Sequence, residues 1–341
     1  GDHRDLHLSL RRQRQMCIRD SIEIPVPKKD EVCIQVHFAG INFADTLMRM
    51  GFYQPRPPFP FTPGYEVSGV IHALGSDVEG FQVGQRVVGM MRTGGQATHV
   101  VTEVNRVIPI PDEMTLEAAA SMPVTYITAH HMLHHLGNLK PTDSVLIHGG
   151  GGGVGTAALQ LCKWAGVANV WSTASSAKAD IIQSYGATAI DRHNEDFVEL
   201  IKKATAGKGV DHILDPIGGE HLKRSLSVLA HGGKLYTYGM SSAAPSSKRS
   251  LLKAFFAFRK RPRFDPMKMM SRNQGVFGVH MGTWPDEDVM TEQMERIVNG
   301  IKEGVLTPII DSVFDARDVA KAHQYIHDGK NIGKVLLRFE E

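Results

Sequence analysis

Residues 145–161 read VLIHGGGGGVGTAALQL, and this stretch decides the fold of the chain. Its first three residues form a short apolar run, which is typical of a strand buried inside a parallel sheet. Five glycines follow, and Gly150, Gly152 and Gly155 fit the spacing G-x-G-x-x-G. A helix-forming run closes the stretch. A strand, a glycine-rich turn and a helix in this order predict a turn that binds a dinucleotide.

Each glycine of the motif meets a steric need. The first makes the tight turn, the second lets a pyrophosphate approach the backbone, and the third lets the helix pack closely on the strand. The first helical turn, with Gly153 and Val154, offers free N–H groups and a partial positive charge to an anion. A flexible glycine linker is the alternative interpretation, and the flanking strand and helix disfavour it.

Composition and charge narrow the class of protein. A length of 341 residues predicts two domains, and 42% hydrophobic with 22% charged residues is typical of a globular protein with full cores. A net charge of +2 gives no overall electrostatic case for binding nucleic acid or membranes. Three scattered cysteines predict no disulfide framework and a reducing, cytoplasmic compartment. No apolar run reaches the 18 or so residues of a membrane-spanning helix.

The first 21 residues differ from the rest of the chain. They contain five arginines and lack a periodic apolar pattern. A secretory signal needs an apolar core that this stretch lacks. A mitochondrial transit peptide remains open, although three aspartates weaken it. We expect residues 1–21 to be a leader that is disordered or non-native.

From Ser144 onward the pattern alternates between strand and helix. The predicted strands are 145–148, 169–173, 187–190, 212–214, 234–238 and 276–279. The predicted helices between and after them are 156–165, 177–185, 197–204, 221–229 and 289–303. Six strands with helical crossovers predict an α/β fold with a doubly wound, parallel, six-stranded Rossmann sheet.

The regions on either side of this sheet predict a second domain. Residues 22–123 are rich in β-structure and turns, with strands expected within 22–36 on both sides of a turn, and at 67–74 and 85–89. Helices are expected at 116–120 and 126–136. After Leu306 the pattern is strand, helix, strand. We expect residues 305–341 to join 22–123 in a catalytic domain and residues 124–304 to form the cofactor domain.

Several motifs together resemble the medium-chain dehydrogenase/reductase superfamily, in its zinc-independent quinone oxidoreductase branch. They are AGINFAD at 39–45 with Arg49, Gly51 and Tyr53, PGYE at 63–66, VGQRV at 83–87, the glycine run, Asp215 with Gly218 and Gly219, and NIGK at 331–334. Within the branch, the chain is most similar to the synaptic vesicle membrane protein homologues, the vesicle amine transport protein subfamily. The resemblance implies a GroES-like catalytic domain beside the Rossmann domain. The family opens with a strand hairpin, which residues 1–21 do not resemble.

The resemblance also decides between two reaction classes. Zinc alcohol dehydrogenases of this superfamily carry a cysteine at the position of Asn42 and a histidine at the position of Tyr65. Glu66 remains beside them, but a catalytic zinc needs about three protein ligands. Three cysteines also exclude the four-cysteine structural zinc lobe. We therefore expect hydride transfer to a quinone or an α,β-unsaturated carbonyl without a metal.

The second strand indicates which nicotinamide cofactor is used. NAD-binding sheets carry an acid about 20 residues past the glycines, for the ribose hydroxyls. No acid stands at the end of this strand, whereas Ser175 and Lys178 do. Related quinone reductases place a tyrosine after the third strand, and Arg192 takes that position here. These residues suit a 2′-phosphate and predict NADPH, although solvated surface charges remain an alternative for Lys178 and Arg192.

Further site residues follow from the resemblance. It places Thr128 near the nicotinamide ribose, Gly239 and Phe277 near the nicotinamide, and Asn331 with Lys334 near the phosphates. Core packing competes with these roles for Thr128 and Phe277. It also places Asn42 and Tyr53 in the substrate cleft, where both can donate a hydrogen bond to a carbonyl oxygen. For Tyr53, a plain packing role remains an equal alternative.

Three features remain outside the predicted reaction. Four histidines at 130, 131, 134 and 135 form two i,i+4 pairs, and we expect a histidine-rich helix and no metal site. The basic segment 248–272 predicts a helical insertion at the substrate entrance or the dimer seam. Contact with a vesicle or mitochondrial outer membrane stays open for it. A homodimer through 276–279 follows from the resemblance, and a regulatory NADPH-binding protein with little turnover is the alternative function.

Overall fold

The structure is a computed structural model that describes residues 20–55, 57–58, 60–244 and 250–339. It divides into two compact units. The first unit runs to Pro123 and resumes at Ile310, and the second comprises Val124–Ile309. The leader expected at 1–21 lies outside the described residues up to residue 19, as do Lys248 and Arg249 of the basic segment.

The described residues form thirteen strands and eleven α-helices. The strands are β1 (Glu31–Ile41), β2 (Glu66–Leu74), β3 (Arg86–Met90), β4 (His99–Glu103), β5 (Val107–Pro109), β6 (Ser144–His148), β7 (Asn169–Ala174), β8 (Thr188–Asp191), β9 (Val210–Asp215), β10 (Leu229–Thr237), β11 (Gly275–Gly278), β12 (Ile310–Asp315) and β13 (Lys334–Arg338). The helices are α1 (Phe43–Met50), α2 (Leu116–Ser121), α3 (Pro123–His130), α4 (Gly153–Trp164), α5 (Ala179–Ser184), α6 (Phe197–Ala204), α7 (His221–Ser227), α8 (Leu251–Arg259), α9 (Pro266–Arg272), α10 (Glu287–Lys302) and α11 (Val319–His327).

A mixed, mostly antiparallel sheet forms the first unit. Its strand order is β12-β13-β1-β2-β3-β5, and β4 pairs with the other end of β1. Apolar side chains of β1, β2 and β13 pack against Ala322 and Ile326 of α11 to make its core. The C-terminal strand, helix and strand therefore complete a sheet that the N-terminal part begins.

The strand expected to begin at Ile22 is wrong. Residues 20–28 form no regular element, and the first strand starts only at Glu31. Pro25 and Pro27 explain the difference, because proline has no backbone N–H with which to pair in a sheet.

The second unit has the predicted parallel sheet. Its strand order is β11-β10-β9-β6-β7-β8, with every neighbouring pair parallel, which confirms the doubly wound α/β fold. The order of the chain reverses between β6 and β9. In open α/β sheets, ligands bind at the carboxyl ends of the strands beside such a reversal. The glycine turn follows β6 and lies at this point.

The predicted elements differ from the observed ones mainly at their ends. Strand β10 begins at Leu229 rather than 234, because Leu229 already pairs with Val210 before a bulge. Helix α7 therefore ends at Ser227. The helix expected over 126–136 is α-helical to His130 and continues as a π-helix over His131–Leu136.

The chain leaves the second unit after Ile309, whereas the sequence places the return at 305. Leu306 is buried, with 1% of its surface exposed. The Thr307 N–H donates to Gln160 Oε1 at 2.7 Å, and the Thr307 carbonyl accepts from Tyr126 Oη at 3.1 Å. These contacts keep the connecting segment in the second unit.

Among the described residues, no helix combines the length and the apolar character needed to cross a membrane.

Candidate functional site

The glycine turn connects β6 to α4 at the carboxyl end of the parallel sheet. The N–H groups of Gly149 and Gly150 both donate to the Thr173 carbonyl, at 2.9 and 3.1 Å, and fasten the turn to the end of β7. Gly149 has a φ of 73°, in the left-handed region. Helix α4 then starts with Gly153 and Val154, whose N–H groups lie in the first turn and have no partner within the helix.

The glycines of the motif have different surroundings. A Cβ on Gly150 would lie 1.8 Å from Ser172 Oγ, and one on Gly155 would lie 2.4 Å from the Gly149 carbonyl oxygen. A Cβ on Gly152 would meet only the Gly149 carbonyl oxygen, at 3.4 Å. The protein's own packing therefore requires the first and third glycines. The second faces open space, which is where a ligand can approach the backbone.

The ends of β7 and β8 bring three predicted residues close to this turn. Ser175 and Arg192 each follow a strand end, and the Arg192 N–H donates to the Ala174 carbonyl at 2.8 Å. The stem of Lys178 lies across Gly151, where an added Cβ would be 2.4 Å from Lys178 Cδ. The stem of Lys178 therefore lies against the glycine turn, whereas Arg192 Nε donates to His193 Nε2 at 3.1 Å.

Asp191 is the acid nearest in sequence to this group, and its carboxylate is engaged locally. Its Oδ1 accepts from the His193 N–H at 3.0 Å, and its Oδ2 accepts from Asn194 Nδ2 at 2.7 Å. These hydrogen bonds lower the pKa of Asp191. Its carboxylate therefore holds the turn that carries Arg192.

A buried polar network lies at the ends of β6, β7 and β9. His148 Nδ1 lies 3.0 Å from Thr173 Oγ1, and its Nε2 lies 3.2 Å from Ser225 Oγ. Ser225 Oγ donates to Asp215 Oδ2 at 2.8 Å, and His221 Nδ1 lies 2.9 Å from the same oxygen. Burial lowers the pKa of His148 to about 3, so this imidazole is neutral. The network ties together the three strands that carry the candidate site.

Asp215 also organises the loop after β9. Its Oδ1 accepts from the N–H groups of Ile217 and Gly218, at 2.8 and 3.0 Å. Burial alone would raise the pKa of Asp215, but the hydrogen bonds from His221 and from the Gly218 N–H, with the neighbouring imidazoles, lower it to about 2. The carboxylate is therefore ionised, and it acts as the centre of this turn.

The other predicted cofactor residues of the second unit lie on separate elements. Thr128 is buried in α3, with 8% of its surface exposed. Gly239 follows β10, where an added Cβ would lie 2.6 Å from the Pro216 carbonyl oxygen. Phe277 on β11 is half-buried and stacks on Tyr236, with ring centroids 5.6 Å apart. This stacking gives Phe277 a packing role in the sheet.

The first unit brings Asn42, Glu66 and Lys334 together at one end of its sheet. Ile41 pairs with Val335 across β1 and β13, so Asn42 and Lys334 meet on the next rung. Lys334 Nζ donates to Asn42 Oδ1 at 2.8 Å and to Glu66 Oε1. Asn42 Nδ2 donates to the same Glu66 oxygen at 2.8 Å. The three side chains form a closed hydrogen-bonded triangle.

Two further residues shape this triangle. Gly40 faces Glu66, and an added Cβ would lie 2.5 Å from Glu66 Oε1 and 2.8 Å from the Ala120 carbonyl oxygen. Asp45 in α1 is fully buried and accepts from the N–H groups of Asn42 and Gly64, at 2.8 and 3.0 Å. Burial raises the pKa of Asp45 to about 7, although these bonds and the Lys334 charge oppose the rise.

Tyr53 and Tyr65 lie next to each other beside this cluster. Helix α1 ends at Gly51 in the left-handed conformation, which turns the chain toward Tyr53. The Tyr53 and Tyr65 rings meet edge to face with centroids 6.0 Å apart. Burial raises the pKa of both hydroxyls, so both are protonated at neutral pH and can donate hydrogen bonds.

Asn331 and Lys334, predicted near the phosphates, both belong to the first unit. Asn331 Nδ2 donates to the Gly333 carbonyl at 2.7 Å and shapes the turn before β13. The Lys334 ammonium is engaged by Asn42 and Glu66, and only 3% of its side chain is exposed. Sequence reasoning missed this pairing with Glu66. The one available signal was an acid at the start of an otherwise apolar strand, which calls for a buried counter-charge.

The residues at the expected zinc position do not fit zinc. The resemblance places Asn42 and Tyr65 at the positions of a cysteine and a histidine in the zinc enzymes. Glu66, the remaining acid, accepts hydrogen bonds from Lys334 and Asn42. A zinc ion needs thiolate, imidazole or carboxylate ligands, and an ammonium group already neutralises this carboxylate. No step of the reaction is therefore assigned to a metal.

Two groups of histidines contain side chains of a type that can bind a metal, one around His148 and one around His130. Among the described residues, only His148, Asp215 and His221 place three candidate ligand atoms within 4.8 Å of one another. The two imidazoles meet edge to face with centroids 4.4 Å apart, whereas rings that share a metal direct one nitrogen each at a common point. The rings of His130 and His134 are 4.7 Å apart and tilted by 32°, and those of His131 and His135 are stacked at 4.7 Å.

Comparison with known sequences and structures agrees with this architecture. Residues 28–112 match the family described as alcohol dehydrogenase GroES-like domain, and residues 185–337 match the family described as zinc-binding dehydrogenase. The chain belongs to the medium-chain dehydrogenase/reductase superfamily of oxidoreductases, which confirms the resemblance found in the sequence.

Its relatives include synaptic vesicle membrane protein homologues and quinone oxidoreductases. The chain is 37% identical to the synaptic vesicle membrane protein VAT-1 homolog of Mus musculus, over 92% of this chain and 77% of that protein. It is 30% identical to the quinone oxidoreductase of Homo sapiens, over 94% of this chain and 92% of that protein. The crystal structure of Escherichia coli quinone oxidoreductase complexed with NADPH superposes with a TM-score of 0.83 at 25% identity, covering 94% of this chain and 95% of that one.

Proposed function

We propose that this oxidoreductase transfers a hydride from NADPH to a quinone or an α,β-unsaturated carbonyl without a metal. The observation that carries the proposal is the glycine turn, with open space at Gly152 and the stem of Lys178 across Gly151. Similarity to quinone oxidoreductases, one of them solved with NADPH, supports it.

The predicted cofactor contacts form a consistent set in this proposal. The first turn of α4, from Gly153 to Gly155, provides N–H groups for the pyrophosphate. Ser175, Lys178 and Arg192 bind the 2′-phosphate. Thr128 contacts the nicotinamide ribose, and Gly239 and Phe277 contact the nicotinamide. Asn331 is proposed as a contact on the phosphate side.

In this reaction the main task of the protein is to hold the nicotinamide and the substrate in the correct relative position. When bound, NADPH supplies the hydride, and negative charge develops on a carbonyl oxygen of the substrate. Asn42 and Tyr53 donate hydrogen bonds to that oxygen and stabilise the charge. Asn42 Nδ2 uses one N–H on Glu66 and has a second to offer, and the hydroxyl of the half-buried Tyr53 is neutral. The proton that completes the reduction comes from solvent.

The test measures oxidation of NADPH and of NADH separately, with 9,10-phenanthrenequinone as acceptor. We expect turnover with NADPH and much weaker turnover with NADH. Lys178→Ala and Arg192→Ala should each raise the KM for NADPH about tenfold and leave that for NADH nearly unchanged. Lys202→Ala, an exposed lysine on α6, is the matched control.

Either of two results would contradict the proposal. Equal effects of the two substitutions on NADPH and NADH would remove the 2′-phosphate assignment. NADPH binding without turnover across a panel of quinones and enones would favour the regulatory protein with little turnover.

A second proposal concerns helices α8 and α9 of the second unit. Leu252, Phe255 and Phe256 on α8 are 50–65% exposed, and Met267 and Met270 on α9 are 67–70% exposed. Exposed arginines and lysines on and between these helices accompany them: Arg259, Lys260, Arg261, Arg263 and Lys268. Exposed aromatic and basic side chains together favour peripheral contact with an anionic membrane, such as that of a vesicle or a mitochondrion.

Co-sedimentation with phosphatidylserine-containing liposomes tests this second proposal. We expect binding by the parent protein, loss of binding when Phe255 and Phe256 become serine, and weaker binding when Arg259 and Arg261 become glutamine. Neutralising Lys202 and Lys203 on α6 removes the same charge elsewhere and should have little effect. Absence of binding by the parent would leave these helices as the border of the substrate entrance or a dimer seam.

A homodimer through β11 completes the proposal. This strand is the outer strand of its sheet in the described chain, and only its β10 side is paired. An unpaired strand edge is a surface on which a second copy can continue the sheet about a two-fold axis.

A further inference from the structure

The position of Lys334 is unusual for a residue expected to bind phosphate. Its side chain is 3% exposed and that of Glu66 is fully buried, and the two form an ion pair. A buried carboxylate without a counter-charge costs several kcal/mol. Lys334 therefore neutralises Glu66 inside the sheet of the first unit, 268 residues away in sequence.

The same ammonium decides how the Asn42 amide is oriented. An ammonium group only donates hydrogen bonds, so the atom of Asn42 that faces Lys334 Nζ at 2.8 Å has to be the oxygen. The Nδ2 group then faces Glu66 Oε1, which only accepts from it, at 2.8 Å. A flipped amide would place two donors together and two acceptors together. Lys334 and Glu66 thus allow one orientation.

Register explains why these three side chains meet. Asn42 follows the last residue of β1, whereas Lys334 begins β13 and Glu66 begins β2. Because β13 and β2 both run antiparallel to β1, these three residues lie at the same end of the sheet. Gly40 lies opposite Glu66, and its missing side chain leaves the space that the carboxylate occupies. The arrangement is built by three adjacent strands and does not depend on a mobile loop.

We propose that Lys334 is a positioning residue that fixes Asn42, which lies at one of the two positions where the resemblance places zinc ligands in the zinc enzymes of the superfamily. It holds the Asn42 amide so that its second N–H meets the substrate oxygen. The proposal rests on the proposed function, because Asn42 is the substrate-contacting donor there. It differs from a phosphate-binding role, in which Lys334 would contact the cofactor directly.

The experiment compares Lys334→Met, Glu66→Gln, the double variant and Lys334→Arg. Lys330→Met is the control, since Lys330 is 62% exposed and pairs with Asp328 at the surface. Each protein is assayed for the Kd of NADPH by fluorescence, for kcat and KM with 9,10-phenanthrenequinone, and for Tm. We expect Lys334→Met to lower kcat about 100-fold, the usual effect of losing an oxyanion donor, with the Kd of NADPH nearly unchanged.

The double variant Lys334→Met with Glu66→Gln distinguishes the effect of an unpaired buried charge from the effect of Lys334 on the orientation of the Asn42 amide. Lys334→Met alone leaves Glu66 buried without its partner and should lower Tm. Adding Glu66→Gln should restore most of the Tm, because no unpaired charge remains, while kcat stays low. Lys334→Arg, which keeps the charge, should recover part of kcat.

A spectroscopic measurement is independent of turnover. With ¹⁵N-asparagine labelling, the Asn42 side-chain amide is assigned by its loss in Asn42→Ser. Its exchange with water should be slow in the parent and fast in Lys334→Met, and Lys330→Met should leave it slow. This arm remains valid if no substrate of the proposed class is turned over.

Two outcomes would overturn the proposal. A rise of about tenfold or more in the Kd of NADPH with an unchanged kcat would make Lys334 a cofactor ligand. Unchanged amide exchange in Lys334→Met would show that Asn42 is held without it. Failure of the parent to reduce any quinone or enone, with the amide and Tm results as expected, would contradict the function but not the positioning.

Discussion

The role of each glycine in the turn after β6 depends on the atoms that an added Cβ would meet. Gly150 and Gly155 are needed because their neighbours leave no room for a Cβ, at 1.8 and 2.4 Å. Gly152 has a φ of −85°, which any residue can adopt, and its nearest neighbour to a Cβ is 3.4 Å away. Stability and ligand binding therefore depend on different members of one motif.

Two alanine substitutions test this separation. Gly150→Ala should destabilise the protein by about 3 kcal/mol, because the Cβ overlaps Ser172 Oγ. Gly152→Ala should leave Tm nearly unchanged and weaken NADPH binding about tenfold or more, since the new methyl group occupies the space of the pyrophosphate. Thermal unfolding and fluorescence titration measure the two effects. Equal losses of NADPH affinity at equal Tm in both variants would refute the division of roles.

Asp45 is the residue whose ionisation should affect stability near neutral pH. Its pKa is raised from 3.8 to about 7 in the folded protein, because the carboxyl group is buried. The folded state thus binds the proton more tightly than the unfolded state. The stabilisation from this proton is full below about pH 4 and is lost as pH rises through about 7.

Urea unfolding of the parent and of Asp45→Asn between pH 4 and 8 tests this linkage. The stability of the parent relative to the variant should fall with rising pH, by about 4 kcal/mol at most. Thr46→Val, in the same buried helix, is a control that does not titrate, and its effect should not depend on pH. A parent-to-variant difference that is constant from pH 4 to 8 would contradict the assignment.

Among the elements, the π-helical segment His131–Leu136 shows the limits of a sequence pattern. The apolar positions correctly predict a helix there, but not its wider turn. Gln293 of α10 lies between two rings, with His130 Nδ1 at 3.3 Å and His131 Nδ1 at 3.2 Å. Lys234 of β10 donates to the carbonyls of Leu136 and Gly137, at 3.1 and 2.7 Å. Tertiary partners thus hold both ends of the segment.

Lys234 should therefore stabilise the end of this helix. Lys234→Met removes a charged donor from two carbonyl groups and should cost about 2 kcal/mol of unfolding free energy. Lys223→Met, an exposed lysine on α7, is the matched control and should cost much less. Chemical denaturation measures both. Equal costs for the two substitutions would show that the cap contributes nothing specific.

The hydrophobic period of the sequence predicts that a strand or helix exists more reliably than it predicts the residues at which that element begins and ends. All six strands of the parallel sheet occur where apolar runs predict them, because a strand buried on both faces must be apolar along its length. The ends differ where a neighbour decides, as at Leu229, which pairs with Val210. The strand expected from Ile22 fails because two prolines remove its hydrogen-bond donors.

At the scale of the whole molecule, the proposed homodimer can be tested through its outer strand. Gly278 on β11 is exposed, and an added Cβ would meet nothing within 4 Å, so a larger side chain should not disturb the protomer. Gly278→Glu should convert a dimer to a monomer in light scattering after size exclusion, because two like charges would meet at a two-fold interface. A monomeric parent, or a variant that remains dimeric, would place the interface elsewhere or remove it.

Local sequence by itself determined the parallel sheet and the glycine turn, both of which the structure contains. Both depend on residues within about one βαβ unit, where hydrophobic period and glycine spacing act directly. The superfamily was evident from motifs for the same reason.

Only the tertiary structure decided where the charges of the first unit go. Asn42, Glu66 and Lys334 are far apart in the chain, and no spacing rule connects them. They meet because β13 returns to pair with β1, which places Lys334 on the rung of Asn42 and beside Glu66. The counter-ion of a buried carboxylate is the cation that lies next to it in space. In this fold that cation is Lys334, which the sequence resemblance places near the cofactor phosphates.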